Sequence, residues 1–257
     1  WPLAKATLWS ILGAYLLLPS GTQVDLPMLP PMDKYALPNL AAYLACRFVK
    51  GKSVKILPSG GWLKTLLVLY MVSPFVTSLL NADLMVTGPR VIKGLDYYDA
   101  LSAVIRQFLF ILPFLLGMAF IRDARSHEAI LRMLVVAGLW YSLPCLLEIR
   151  LSPQLHRWVY GYFPHSFVQQ MRDGGFRPVV FLGHGLWVAF FIMSSAFSAS
   201  VFWKLKKSVS GFNPGVIAMY LSVVLVLCKS MAALVYALCM MLFNQLFTPK
   251  TQIRLAQ

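Results

Sequence analysis

Long apolar stretches recur along this chain, and they constrain its fold more than any other feature. Eight stand out: about Ala6–Leu18, Tyr35–Val49, Trp62–Leu80, Ala100–Ile121, Met133–Leu147, Val179–Trp203, Gly215–Cys228 and Met231–Phe247. A helix that crosses a bilayer needs about 20 mostly apolar residues, so each is a candidate span. The second is short. The last two are separated only by Lys229 and Ser230, which makes them a tight helical hairpin or one broken helix. Composition agrees. Of 257 residues, 59% are hydrophobic and 12% charged, with a mean hydropathy of +0.69, against about 45–50% apolar and about 25% charged in soluble domains. Half the usual charge cannot make a soluble shell, which excludes soluble, disordered and disulfide-scaffold classes. The expectation is an all-α polytopic transmembrane helical bundle of about eight spans. It forms a single transmembrane domain over residues 1–257, the N-terminal part of a longer chain.

Orientation follows from the distribution of Lys and Arg, which favours cytoplasmic loops. With the N-terminus inside, the short inner loops hold fourteen of the 23 cations against only Asp123 and Glu128. The outer side holds nine, namely Lys34, Arg90, Lys93, Arg106, Arg150, Arg157, Arg172, Arg177 and Lys229, with the remaining seven acids. Both termini are therefore expected in the cytoplasm. Inner cations at helix ends beside anionic headgroups explain most of the +14 net charge, so the basic character does not point to nucleic acid. Topology does not require the outer cations.

Three outer segments are long. Pro19–Lys34 is rich in proline (Pro19, Pro27, Pro30, Pro31) and suits packing along a membrane surface, while Asn81–Asp99 carries Asp83, Arg90, Lys93, Asp96 and Asp99. The third, over residues 148–178, is the most informative. Ser152-Pro153 reads as a helix start, with Ser as N-cap and Pro at the first helical position. Leu155, Trp158, Val159 and Tyr162 then repeat at helical spacing, which predicts a short interfacial helix with its aromatic face in lipid, stopped by Pro164. The piece His165–Met171 leads into Arg172-Asp173-Gly174-Gly175-Phe176-Arg177-Pro178. Two glycines allow close backbone approach to a ligand. Arginines at a helix N-terminus suit an anion, because N–H groups and guanidinium forks both face phosphate oxygens.

Arg172, Arg177, Lys229 and Arg150 are the candidate phosphate contacts, with Arg157, His165, Glu148 and Arg106 secondary. The plainer reading pairs Arg150 and Arg157 with Glu148 or headgroups and lets Lys229 snorkel to the interface. Lys229 sits between two apolar helices, where a charge is costly without a partner or water. Other signals fail. Gly51-Lys52-Ser53 resembles the end of a phosphate loop, but Cys46 stands where the first glycine is needed. His184 reads as a satisfied intramembrane histidine. Cys46, Cys145, Cys228 and Cys239 lack ligand spacing and read as small core hydrophobes. Neither a metal cluster nor a Ser-His-Asp spacing is legible.

The run Glu148-Ile149-Arg150-Leu151-Ser152-Pro153-Gln154-Leu155-His156, through Tyr160-Gly161 to Gln169-Gln170-Met171-Arg172, resembles the O-antigen ligase and polymerase superfamily. So do Gly174-Gly175-Phe176-Arg177-Pro178, Phe181-Leu182-Gly183-His184-Gly185, Leu29-Pro30-Pro31-Met32-Asp33-Lys34 and Tyr98-Asp99-Ala100-Leu101-Ser102-Ala103-Val104. The resemblance implies a bacterial inner-membrane protein acting on glycans carried by undecaprenyl diphosphate. The acceptor it implies is a lipid A core sugar for a ligase, or another glycan chain for a polymerase. It implies a catalytic histidine in a large periplasmic loop beyond Gln257, and no cofactor or metal. Two departures matter. Lys229-Ser230-Met231 stands where the family usually has Ser-Arg-Gly, so the charge stays but the bidentate fork is lost. The later loop lies outside this chain. The competing readings are a lipid-linked oligosaccharide flippase or other transporter, and a non-catalytic subunit of a polysaccharide export system.

Overall fold

The computed structural model describes residues 3–25, 30–54, 57–58, 60–172 and 174–256. Pro27, Leu29 and Asp173, which belong to the segments quoted above, lie outside them. The chain forms two compact units. One comprises Trp1–Tyr15 and Thr22–Arg122, the other Leu16–Gly21 and Asp123–Gln257.

The first unit holds most of α1 (Leu3–Leu17), a two-stranded hairpin of β1 (Gln23–Val24) and β2 (Met32–Asp33), and α2 (Ala36–Leu44), which runs on into a π-helical turn at Ala45–Val49. It continues through α3 (Gly61–Leu80), the hairpin of β3 (Met85–Thr87) and β4 (Arg90–Ile92), and α4 (Tyr97–Phe120). Leu109, Leu112, Leu115 and Leu116 of α4 form the core with Met32, Ala36, Ala42 and Cys46. Asn39 is fully buried there; its Nδ2 donates to Leu109 O at 3.0 Å, and its Oδ1 accepts from the Tyr15 hydroxyl at 2.6 Å. The acids of the second outer segment serve a helix start. Asp96 accepts from the backbone N–H of Tyr98 and Asp99, and Asp99 answers from N3, a capping box that opens α4.

The second unit holds α5 (Ala124–Leu151), α6 (Leu155–Tyr160), a 3₁₀ turn (Phe167–Gln170), the hairpin of β5 (Met171–Arg172) and β6 (Gly175–Phe176), α7 (Gly185–Lys204), α8 (Pro214–Leu227), α9 (Met231–Leu246) and α10 (Pro249–Ala256). Helix α7 is its centre and packs on α5, α8 and α9. Small residues make this possible, as in membrane bundles generally. Ser195, Ala196, Ser198, Ala199 and Ser200 are buried, and Gly138 of α5 meets Ser195 so closely that an added Cβ would lie 2.4 Å from the serine Cβ.

Among the described residues four helices, α3, α4, α5 and α7, are long and apolar enough to cross a membrane; α1, α2 with its π turn, α8 and α9 are apolar but shorter. The architecture is all-α with four full-length candidate spans, and helix length alone does not extend that number to eight. Burial separates the four. The apolar window of α7 is 61% buried within the protein, whereas that of α3 is 11% buried. Exposed side chains such as Trp62, Leu69, Leu79 and Leu80 are the apolar surface expected to face lipid.

One boundary differs from the sequence reading, and one junction is settled between its two alternatives. The stretch expected to begin at Val179 becomes helical only at Gly185, because Val180 (φ 50°) and Gly183 (φ 80°) take left-handed conformations that a right-handed helix cannot include. The final pair is two helices joined at Cys228–Ser230, where Lys229 takes a left-handed φ of 51°. Both pack far more on α7 than on each other, so they are not a tight hairpin.

Candidate functional site

The segment between α5 and α7 is organised by one carboxylate. Glu148, on the last turn of α5, is 1% exposed. Its Oε1 accepts from Leu155 N–H at 2.9 Å and its Oε2 from Val179 and Val180 N–H, each at 2.7 Å. It therefore ties the start of α6 and the approach to α7 to the end of α5. Buried backbone donors require such partners, and a charged acceptor is the strong kind. Arg150 and Arg157 are both exposed, and neither makes an ion pair with Glu148 among the described residues. The plainer pairing of Arg150 and Arg157 with Glu148 is therefore not made among the described residues: the carboxylate is committed to backbone.

The short helix is also corrected. Ser152 does not cap α6; with φ 90° it ends α5, and Gln154 occupies the N-cap of α6 without a side-chain bond. Gly161 ends the helix in a left-handed conformation (φ 84°), ahead of Pro164. Trp158 and Val159 are exposed, but Tyr162 falls beyond the helix and turns inward. Its hydroxyl donates to Ser20 O at 2.6 Å, and its ring lies 4.7 Å from that of His156. His156 is fully buried. Its Nε2 accepts from Ser20 N–H at 3.1 Å, so the proton sits on Nδ1, which donates to Tyr162 O at 2.8 Å. Ser20 also donates through Oγ to Phe181 O at 2.7 Å, and the Tyr141 hydroxyl accepts from Phe181 N–H at 3.1 Å. The loop that delivers residues 178–184 is therefore anchored at both edges.

On this scaffold stands a positively charged group. In the β5–β6 hairpin Arg172 pairs with Gly175, and Arg177 N–H donates to Gln170 O at 2.8 Å. The ammonium of Lys229 reaches across from the α8–α9 turn to donate to Arg172 O at 2.7 Å, lying over Gly175, where a Cβ would come within 2.6 Å of Nζ. A side chain at 175 would displace the flexible end of Lys229. Arg177 is 3% exposed and its Nε has no hydrogen-bond partner. Burial lowers its affinity for the proton from the ordinary arginine value, and the charge of Arg172 lowers it further. Neither arginine has an ion-pair partner among the described residues.

Three residues that the sequence did not single out as a group belong here. His184 caps α7, with Nδ1 accepting from Leu186 N–H at 3.0 Å. His165 stacks edge-on against it, with ring centroids 4.7 Å apart. Burial, then His165, Arg177 and Arg172, depress the pKa of His184 and so favour its neutral ring. Gln170 is fully buried beside Gly185 and Arg177, yet both atoms of its amide lack partners, as does His165 Nδ1. Buried polar atoms without partners are rare in folded proteins and call for a reason. No local spacing announces these residues; only the fold assembles them.

Arg106 belongs to the first unit, on α4. It lies 3.8 Å from Asp33 and over the ring of Phe110, which satisfies it locally. Among the described residues, no group of three His, Cys, Asp or Glu could hold a metal ion. No protein-family model, curated protein or solved structure matches the chain.

Proposed function

We propose that the chain binds the diphosphate of a lipid-linked glycan at the N-terminal end of α7, as part of a membrane-embedded glycosyltransferase of the O-antigen ligase or polymerase kind. The observation that carries this reading is the pairing of Arg172 with Arg177, without a carboxylate among the described residues, beside Lys229 and the first turn of α7. Two like charges held together are unfavourable, and a dense anion offsets their repulsion. Guanidinium forks match phosphate oxygens in a bidentate geometry.

In the proposed reaction an acceptor hydroxyl attacks the anomeric carbon of the donor sugar. The bond from that carbon to the diphosphate oxygen breaks, the electron pair leaves with the diphosphate, and the hydroxyl proton passes to a general base. Negative charge grows on the leaving oxygens in the transition state, where preorganised cations stabilise it most. The donor is an undecaprenyl-diphosphate glycan, the acceptor a glycan chain or lipid A core, and the site faces the periplasm of the bacterial inner membrane. The resemblance in the Glu148–Arg172 and Gly174–Gly185 runs supports those finer terms.

The test is a glycan gel from a deletion strain complemented with full-length variants. Arg172→Ala and Arg177→Ala are expected to abolish polymer-bearing product at near-normal protein abundance. Wild-type product from both variants contradicts the proposal. Labelling of a cysteine at Gln169 only after the inner membrane is permeabilised contradicts the orientation.

A further inference from the structure

The first unit contains a second basic recess, unrelated to the α7 site. A cavity of about 650 Å³ opens at the end where α3 begins and α4 finishes. Its lining includes Lys52, Ser53 and Arg122, with Leu57, Pro58 and Phe120, and none of its lining residues is acidic. Arg122 is held in place by donating from Nε to Met118 O at 2.9 Å, the exposed end of α4. That bond leaves both of its terminal nitrogens without partners among the described residues. Lys52 is exposed and makes no ion pair among the described residues.

Immediately beyond lies a narrower apolar recess of about 240 Å³ between α3 and α4, lined by Leu67, Val68, Met71, Val72, Phe108 and Ile111. Leu57 and Leu115 line both spaces, so the polar cavity leads directly into the apolar one. The sequence of surfaces is cation, hydroxyl, then hydrocarbon, along the length of two candidate membrane helices.

From this continuity we infer that the recess is a binding site for one anionic phospholipid of the bilayer. The headgroup phosphate lies against Lys52 and Arg122, and one acyl chain lies in the groove between α3 and α4. Free phosphate uses only the polar half and leaves the apolar half without an occupant. The paired charges and the groove together select a lipid. Basic residues at a membrane surface attract anionic lipids in this way.

Native mass spectrometry of the full chain, released from mixed phosphatidylglycerol and phosphatidylcholine vesicles, tests the site. The wild type should retain phosphatidylglycerol in preference to phosphatidylcholine. Lys52→Ala and Arg122→Ala should each reduce that preference about fivefold. Val68→Trp fills the groove from an exposed position and should remove the retained lipid while leaving both cations in place. Lys93→Ala, on the hairpin at the other end of α3 and α4, should change nothing. Equal retention of both lipids by the wild type overturns the inference. So does retention that survives Val68→Trp but is displaced by inorganic phosphate, which identifies a free-anion site.

Discussion

The two ends of the second unit treat charge in opposite ways. At the end where α5 begins and α7 finishes, Glu128 is paired with two cations. Glu128 accepts from Arg132 at 3.1 Å and from Lys207 at 2.6 Å, and Arg132 also donates to Ser208 O. Lys204 closes the carbonyl end of α9 by donating to Asn244 O and Phe247 O. At the opposite end the only buried carboxylate among the described residues, Glu148, faces backbone N–H groups, and neither Arg172 nor Arg177 makes an ion pair among the described residues. A chain that needed only a stable fold could have paired these arginines as it paired Arg132. The difference teaches that charge at the first end is structural, while the arginines at the second, without an acid among the described residues, are the feature on which the proposed anion site rests.

The largest effect should come from Glu148. Removing its carboxylate with Glu148→Ala leaves three backbone donors buried, at about 1–3 kcal/mol for each unsatisfied group. The detergent-solubilised protein should melt several degrees lower, and limited proteolysis should cut between 152 and 184. Glu148→Gln keeps two acceptor sites but turns an NH₂ toward a donor, and should fall between the two. Wild-type melting of Glu148→Ala would erase the distinction between the ends.

Next in size is the arginine pair. Losing a charge-assisted hydrogen bond worth about 1.5–3 kcal/mol weakens anion binding roughly 10- to 150-fold. Arg172→Ala and Arg177→Ala should do this to prenyl diphosphate affinity without lowering melting temperature, since relieving repulsion is not destabilising. Lys229→Ala should lose both its charge and its tie to Arg172 O, whereas Lys229→Arg should retain most affinity. Gly175→Ala should push the Lys229 ammonium aside and produce a milder loss.

A smaller, pH-dependent effect should come from His184. Its pKa is depressed in the free protein by burial, His165, Arg177 and Arg172. The unfolded chain therefore takes up a proton near pH 6.5 that the folded site refuses. Stability should thus fall as pH drops below about 6.5, and not change above it on this residue's account. A bound anion reverses the bias and favours the protonated ring, so diphosphate affinity should rise over the same acidic interval. His184→Gln should flatten that rise in a calorimetric pH series; an unchanged slope contradicts the assignment.

The smallest effects belong to the paired end and to exposed arginines. Lys207→Ala removes a partly exposed ion pair worth about 0.2–1 kcal/mol, and should leave diphosphate binding untouched. Arg150→Ala should also be neutral in the glycan gel, because Arg150 lies exposed and makes no ion pair among the described residues.

Part of this arrangement was legible in the amino-acid sequence because it depends on local pattern. Apolar runs identify the long helices α3, α4, α5 and α7, and the position of Arg172 and Lys229 at ends of successive apolar stretches suggests their proximity. Local pattern misled at residue 152, where Ser-Pro chemistry suits the start of one helix and the end of another equally. It misled again at Tyr162, because helical spacing carried across Gly161 although that glycine turns the chain. The role of Glu148 was not legible at all. Its partners are the backbone amides of Val179 and Val180, which any residue type but proline carries, so no side-chain motif reports them. His165, Gln170 and His184 meet only through the hairpin and the α7 cap, at spacings with no period.

The central claim is that the α7 end of the second unit binds a diphosphate while the opposite end does not. Isothermal titration of the full chain in detergent with farnesyl diphosphate measures this directly. The account predicts saturable binding by the wild type, a loss of roughly tenfold or more in Arg172→Ala and Arg177→Ala, and unchanged affinity in Lys207→Ala and Arg132→Ala. Binding that is absent in the wild type, or weakened equally by variants at both ends, would contradict it.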